Sequence, residues 1–275
     1  MNIRKCVAIA LTASLIAAAS AYGPSATSKT TDFSDVWAVP GEPGWALEIV
    51  QNNYTLFATL YVYGPDRQPN WYTATLTYQG SFNWTGTLYR TTGPYFAAFP
   101  FNPNDVALSE VGTMSVVFPF VSSGTLIYSV SGSQVSKAIV RYLLAFEDFN
   151  GSYSGVMGQQ GAALPCSPAD NVSATPAAVQ ITQNGTGMTV VSTARGDTCT
   201  YPGYYSQQGH FGEVVGTYVC SSGATGKFIF FEMVRNSLDF RARTSVTTTA
   251  GCTLNGFLVG LQLPTTQTCG ASCTH

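Results

Sequence analysis

A serine, a histidine and an acid within hydrogen-bond reach would make a hydrolase, and the chain carries fragments of such a site. Gly151-Ser152-Tyr153-Ser154-Gly155 has the glycines and serines of a nucleophile turn. That turn needs serine at its centre and a helix behind it. Here Tyr153 holds the centre, and no helical periodicity follows. His210, three residues before Glu213, is the candidate general base, since His275 is the last residue. Glycoside hydrolysis would need two carboxylates about 5–10 Å apart across a cleft. Glu48 and Glu232 are the candidates, each flanked by apolar residues. Glu147 and Asp148 are adjacent, so on a strand they point to opposite faces.

Metal and nucleotide chemistry is poorly provided for. The sequence contains no His-x-x-x-His and no Asp-x-Asp-x-Asp run. Asn102-Pro103-Asn104-Asp105 could offer oxygens to calcium, but these are ordinary turn formers. Cys269 and Cys273 are the only close cysteine pair, and a zinc site there would have to recruit His275. No glycine-rich phosphate loop precedes a helix, so neither metal nor cofactor is expected. Arg195-Gly196-Asp197 is an adhesion-type tripeptide that reads as a turn. What remains is aromatic. Trp45 and Trp71 sit beside Pro/Gly turns at strand ends. With Tyr61, Tyr72 and Tyr89 they are the candidate contacts for a small apolar ligand or a glycan. The alternative reading makes these residues core.

The composition narrows the class further. Of 275 residues, 9% are charged and 13% aromatic, and the net charge is −2. Globular domains usually carry about 25% charged residues. Nucleic-acid binding needs clustered Lys and Arg, which are missing. Disorder needs low hydrophobicity with high net charge, and 45% hydrophobic residues exclude it. Residues 1–21 have the pattern of a signal peptide, with Arg4 and Lys5, an apolar run Val7 to Ala19, and the small-x-small site Ala19-Ser20-Ala21. The apolar run is too short to span a bilayer, which takes about 20 residues, so no transmembrane segment is expected. Export to the periplasm or the outside follows, and the alanine-rich leader is of bacterial type. Removal of the leader leaves Cys166, Cys199, Cys220, Cys252, Cys269 and Cys273. An even count in an exported chain reads as disulfides. Fifteen pairings exist and sequence does not choose among them. Pairing in sequence order would give Cys166–Cys199, Cys220–Cys252 and Cys269–Cys273.

These side chains must be positioned by strands. Residues 54–63 and 71–78 are rich in aromatic and β-branched residues, and a Gly/Pro/Asp/Asn cluster separates them. Further strands are expected at 45–51, 84–91, 95–100, 112–120, 125–131 and 137–146. In the second half they fall at 151–155, 178–183, 187–193, 204–208, 211–220, 226–234, 238–246 and 252–261. Such spacing marks an all-β sandwich or barrel. The halves also echo each other. Asp32-Phe33 matches Asp148-Phe149, Leu47 to Asn52 matches Val179 to Asn184, and Gln79-Gly80-Ser81-Phe82 matches Gln208-Gly209-His210-Phe211. In this alignment His210 falls on Ser81 and Glu48 on Gln180, which weakens both as required catalytic groups. The expected organisation is a leader (1–21), a polar linker (22–31), an aromatic-rich β module (32–146), a disulfide-containing β module (147–264) and a Cys-clipped tail (265–275). The fold class is two tandem antiparallel meander or barrel-like modules, by analogy with calycin- and avidin-like barrels.

Trp37, Pro43-Gly44-Trp45, Leu56-Phe57, Tyr61-Val62-Tyr63, Pro69-Asn70-Trp71-Tyr72, Thr85 to Tyr89 and Gly93-Pro94 form a pattern over residues 37–95. It resembles an aromatic-rich repeat of exported, largely uncharacterised proteobacterial proteins. Members commonly carry glycine where this chain has Ala46. The family has no established catalytic residues, so the resemblance implies location and β architecture rather than chemistry.

Together these readings point to an exported, non-enzymatic β-barrel or sandwich that binds or interacts through aromatics. With few titratable groups, acid–base catalysis has little to work with. The alternatives are a secreted hydrolase with a carboxylate site, a cell-surface structural protein assembling through strand edges, and an outer-membrane barrel, which six cysteines disfavour. Oligomeric state stays open.

Overall fold

A computed structural model describes residues 31–161, 165–167 and 171–264. The expected leader, linker residues 22–30, and the tail with Cys269, Cys273 and His275 lie outside the described residues. The first half contains β1 (Asp35–Ala38), β2 (Ala46–Asn52), β3 (Thr55–Tyr63), β4 (Pro69–Gly80), β5 (Asn83–Thr92), β6 (Ala107–Val117), β7 (Ser123–Val130) and β8 (Ser133–Arg141). The second contains β9 (Gly151–Gly161), β10 (Val172–Asn184), β11 (Gly187–Ala194), β12 (Asp197–Gln208), β13 (Phe211–Cys220), β14 (Thr225–Arg235), β15 (Asp239–Thr248) and β16 (Thr253–Gln262). Each set is a closed antiparallel barrel of eight strands, sealed by β1 on β8 and by β9 on β16. Among the described residues no helix is long and apolar enough to cross a membrane.

Alternation along the strands builds both cores. On β3, Leu56, Ala58 and Leu60 are buried while Phe57 and Tyr61 face out; on β10, Val179 and Ile181 are buried while Gln180 and Thr182 face out. This apolar interior is unlike that of a porin-type barrel, whose inward face is polar. Small residues make room for rings inside. Phe118 occupies the space a Cβ on Gly124 would need, and Tyr205 does the same beside Gly212. Such large–small pairing fills a narrow barrel.

The up-and-down order gives each barrel two distinct ends. In the first, residues 31–34, the β4–β5 turn and the β6–β7 loop form the base. Phe33 stacks on Phe118 at 4.4 Å, Trp84 meets Phe33 edge-on at 5.3 Å, and Trp37 lies 4.5 Å from Phe118. This aromatic layer plugs the base. The other end, with the β3–β4, β5–β6 and β7–β8 connections, is the mouth. The second barrel follows the same plan with Phe149, Tyr153 and Tyr205 among its base residues.

The echoes between the halves recur as hydrogen bonds. Asp32 Oδ1 accepts from the Ser34 amide and Asp148 Oδ1 from the Asn150 amide, both at 2.9 Å. The Phe33 amide donates to Gln51 Oε1 at 2.7 Å, and the Phe149 amide to Gln183 Oε1 at 3.0 Å. The Phe33 carbonyl accepts from Trp37 Nε1 at 3.1 Å, and the Phe149 carbonyl from the Tyr153 hydroxyl at 2.7 Å.

Two expectations are corrected. Residues 95–100 form no strand; they belong to the β5–β6 loop, with Phe96 89% and Phe99 98% exposed. The missing strand is β1, which pairs β2 with β8. Aromatic density mimicked a strand where no inward–outward alternation existed. The disulfides also pair otherwise than in sequence order. Among the described residues they are Cys199–Cys220 and Cys166–Cys252. Cys199 lies directly opposite Cys220 in the β12–β13 ladder. Barrel closure brings β16 back to β9, which carries Cys252 to the segment after Gly161. Both bridges sit toward the second barrel's mouth.

Candidate binding site

Apolar strand residues converge on the first barrel's mouth because the base is already filled. A cavity of about 610 Å³ lies there, walled by Val62, Tyr72, Tyr128, Val130 and Val135. Tyr72 and Tyr128 are each 8% exposed, so their hydroxyl-bearing rings belong to the wall rather than the surface. Asp66, Asn70 and Arg90 supply polar atoms near the rim, and Tyr63 flanks them. Size and lining suit a ligand site, which is typically about 300–1,000 Å³ and mostly apolar with a few polar groups. The β5–β6 loop at this end raises Tyr95, Phe96, Phe99 and Phe101 into exposed positions. Its shape is held by the Ala98 amide on the Tyr95 carbonyl, 2.9 Å, and by Asn102, whose Oδ1 accepts from the Asn104 amide at 3.1 Å.

The two bases meet at a polar junction. Arg141 ends β8 with a side chain that is 0% exposed. Its Nη1 donates to Asp35 Oδ2 at 2.9 Å, Nε to the Val121 carbonyl at 2.7 Å and Nη2 to the Asp32 carbonyl at 2.5 Å. The guanidinium also lies over Trp37 and Phe211, 4.8 and 4.5 Å from the ring centroids. His210, from the β12–β13 turn, crosses the junction. Its Nδ1 is 2.8 Å from Asp35 Oδ2 and its amide donates to the same oxygen at 3.1 Å. Burial pushes the Asp35 carboxyl up, but the hydrogen bonds from His210 and Arg141 outweigh it and hold it below the usual value. Nearby, Glu232 accepts from the Thr31 hydroxyl at 2.9 Å and from Arg243 at 3.4 Å. Burial pushes the Glu213 carboxyl up. A cavity of about 20 Å³ between the bases holds no more than about one water.

The residues singled out from sequence therefore divide. Tyr72 lines the first mouth. Trp45 is buried in the core at the mouth-side end of β2, and among the described residues its Nε1 finds no hydrogen-bond partner. Tyr61 and Trp71 pair across β3 and β4 on the outer face, 42% and 49% exposed. Tyr89 is half-buried opposite Thr73. Glu48 is exposed on β2, accepting from the Tyr61 hydroxyl at 3.3 Å. Glu232 lies in the other barrel, so the two acids do not share a cleft. His210 is engaged by Asp35 and Arg141. Among the described residues, the group with metal-ligand spacing is Asp197, Cys199 and Cys220, whose sulfurs are joined to each other.

Asp35, Arg90, Tyr128 and Arg141 are not among the residues singled out from sequence. Arg141 alone carried a signal. It is a cation ending the apolar run Ala138-Ile139-Val140 in a charge-poor chain.

No protein-family model matches the chain, and no curated protein matches it. Among solved structures, it is similar to isotype 1 transferrin binding protein B from serogroup B Neisseria meningitidis. The identity is 9% over 80% of this chain and 66% of that one, with a TM-score of 0.29. The chain thus spans just under two thirds of that structure. It is also similar to a Nostoc punctiforme protein of unknown function from the DUF3598 family. There the identity is 12% over 84% of this chain and 94% of that one, with a TM-score of 0.26. Likenesses this loose transfer no residue roles, and the two-barrel architecture rests on this chain's own strand register.

Proposed function

We propose that the chain is an exported, non-enzymatic binding protein whose first barrel takes a small, largely apolar ligand through its mouth. The observation that carries this is the contrast between the ends. The base is plugged by Phe33, Trp37, Trp84 and Phe118, whereas the mouth keeps about 610 Å³ between Val62, Val130, Val135 and two tyrosine rings, with Asp66, Asn70, Arg90, Ser131 and Ser133 also in its lining. Arg90, Asp66 and the Tyr72 and Tyr128 hydroxyls would orient a polar end of the ligand. Export is supported by the leader pattern, the two disulfides and the resemblance of residues 37–95 to an exported repeat. Assembly through strand edges has less to build on, because closure pairs every strand on both sides. A paired-carboxylate hydrolase has less still, because Glu48 and Glu232 lie apart.

The test is a titration of the purified chain with N-phenyl-1-naphthylamine, a neutral probe that fluoresces in apolar surroundings. Val135→Trp places an indole in the half-buried wall of the cavity. Loss of one bound probe per chain in this variant, with the fold retained by circular dichroism, is the expected result. Unchanged stoichiometry would remove the first mouth as the site.

A further inference from the structure

The second barrel is also open at its mouth, and there the rim is built differently. A cavity of about 340 Å³ is walled by Met157, Tyr201, Tyr218, Val246, Leu254 and the Cys199–Cys220 bridge, with Gln159 and Thr248 adding polar atoms. The floor is aromatic. Tyr201 stacks with Tyr218 at 5.5 Å and meets Phe228 edge-on at 5.2 Å. The rim is fixed by covalent and polar ties between neighbouring turns. Cys199–Cys220 joins β12 to β13, and Cys166–Cys252 joins the segment after β9 to the start of β16. Asp197 Oδ1 accepts from the Ser221 hydroxyl at 2.6 Å and the Ser222 amide at 2.9 Å, and Oδ2 from the Ser222 hydroxyl at 2.8 Å. A rim held this way is set before a ligand arrives, so little ordering cost is left for binding.

The lining also selects a chemistry. Both oxygens of the carboxylate at this mouth are occupied by the protein's own donors, while Arg195, on the exposed turn between β11 and β12, also lines the cavity. The walls instead offer a thioether, a disulfide and tyrosine rings, and divalent sulfur makes favourable contacts with aromatic rings. We propose that this mouth is a second binding site, distinct from the first, for a compact, ring-bearing ligand. His210, which joins the Arg141–Asp35 pair, lies on a base turn of the second barrel, at the other end of its strands from this mouth. One chain would then hold two ligands of different size in two separate mouths.

The experiment is the same probe titration, read as stoichiometry, on the full chain and on variants that fill each mouth. Ala194→Trp fills the second cavity from β11, and Ala224→Trp covers it from the exposed rim. The wild type should bind two probes per chain, either second-barrel variant one, Val135→Trp one, and Val135→Trp with Ala224→Trp none. The rim variant serves if Ala194→Trp fails to fold. If neither second-barrel variant lowers the stoichiometry while Val135→Trp does, this inference falls and the first-barrel site stands. If only the second-barrel variants lower it, the first-barrel site falls and this one stands.

Discussion

Asp35→Ala is the most exacting perturbation of the junction. Asp35 Oδ2 receives Arg141 Nη1 at 2.9 Å, His210 Nδ1 at 2.8 Å and the His210 amide at 3.1 Å. The side chains of Arg141 and Asp35 are 0% and 6% exposed. Deleting the carboxylate leaves a guanidinium buried against backbone carbonyls and two rings. Breaking a buried pair in this way costs about 3–5 kcal/mol, because the remaining charge is uncompensated. At about 2–4 °C per kcal/mol for a chain of this size, the midpoint of melting should fall by roughly 6–20 °C. The same oxygen anchors the second barrel's turn, so calorimetry should also show the two barrels melting less cooperatively with each other than in the wild type. Replacing both partners by apolar residues, Asp35→Leu with Arg141→Met, should recover most of the loss, since an apolar pair of similar volume tolerates burial. A single Asp35→Ala variant within about 0.5 kcal/mol of wild type, the range of an ordinary surface change, would refute the reasoning. So would a double variant no better than the single one.

Other outcomes follow from the same geometry. Peptide mapping of the unreduced chain should recover Cys199–Cys220 and Cys166–Cys252. Removing the latter should cost more, since closure of 86 residues against 21 is worth about 4.6 against 3.3 kcal/mol in the chain-entropy account. The lowered Asp35 carboxyl contributes stability that is full above its unfolded value of about 3.9 and fades as pH falls through the lowered one. Asp35→Asn should therefore flatten the acid limb of a stability–pH curve, with Asp197, lowered by Ser221 and Ser222, keeping part of the slope. Glu213 has the opposite sign. Its burial favours the neutral form, a contribution present below about pH 4.3 and lost as pH rises through the raised value; Glu213→Gln should remove that loss in denaturant titrations at pH 4 to 7. Phe96→Ser with Phe99→Ser should shorten retention on a hydrophobic-interaction column without moving the melting midpoint, because both rings lie in solvent.

The architecture was legible wherever alternation was clean. Leu56-Phe57-Ala58-Thr59-Leu60 announces a half-buried strand, and the Asp-Phe and Gln-Gly echoes align the two halves. Reading failed where a local pattern depends on distant partners. β1 is four residues with one fully buried ring, too short for periodicity to register. The aromatics at 95–101 have strand-like composition but no ladder to join. The disulfide pairing depends on barrel closure, which residue order does not contain. The site was half legible. Trp71 and Tyr72 are neighbours, so period two required one to face in and the other out; the sequence allowed that split but not its direction. Closure of β1 on β8 brings Asp35 to Arg141 across 106 residues, and the meeting of the two barrels brings His210 to Asp35 across 175, separations that no local window spans.

Native mass spectrometry of the chain purified from the cell that makes it, without organic extraction, addresses the binding role most directly. The expected result is a bound small molecule of defined mass, released on activation and displaced by N-phenyl-1-naphthylamine, with occupancy reduced in Val135→Trp. A single mass equal to that of the disulfide-bonded polypeptide, in a preparation that also takes up no probe, would contradict it.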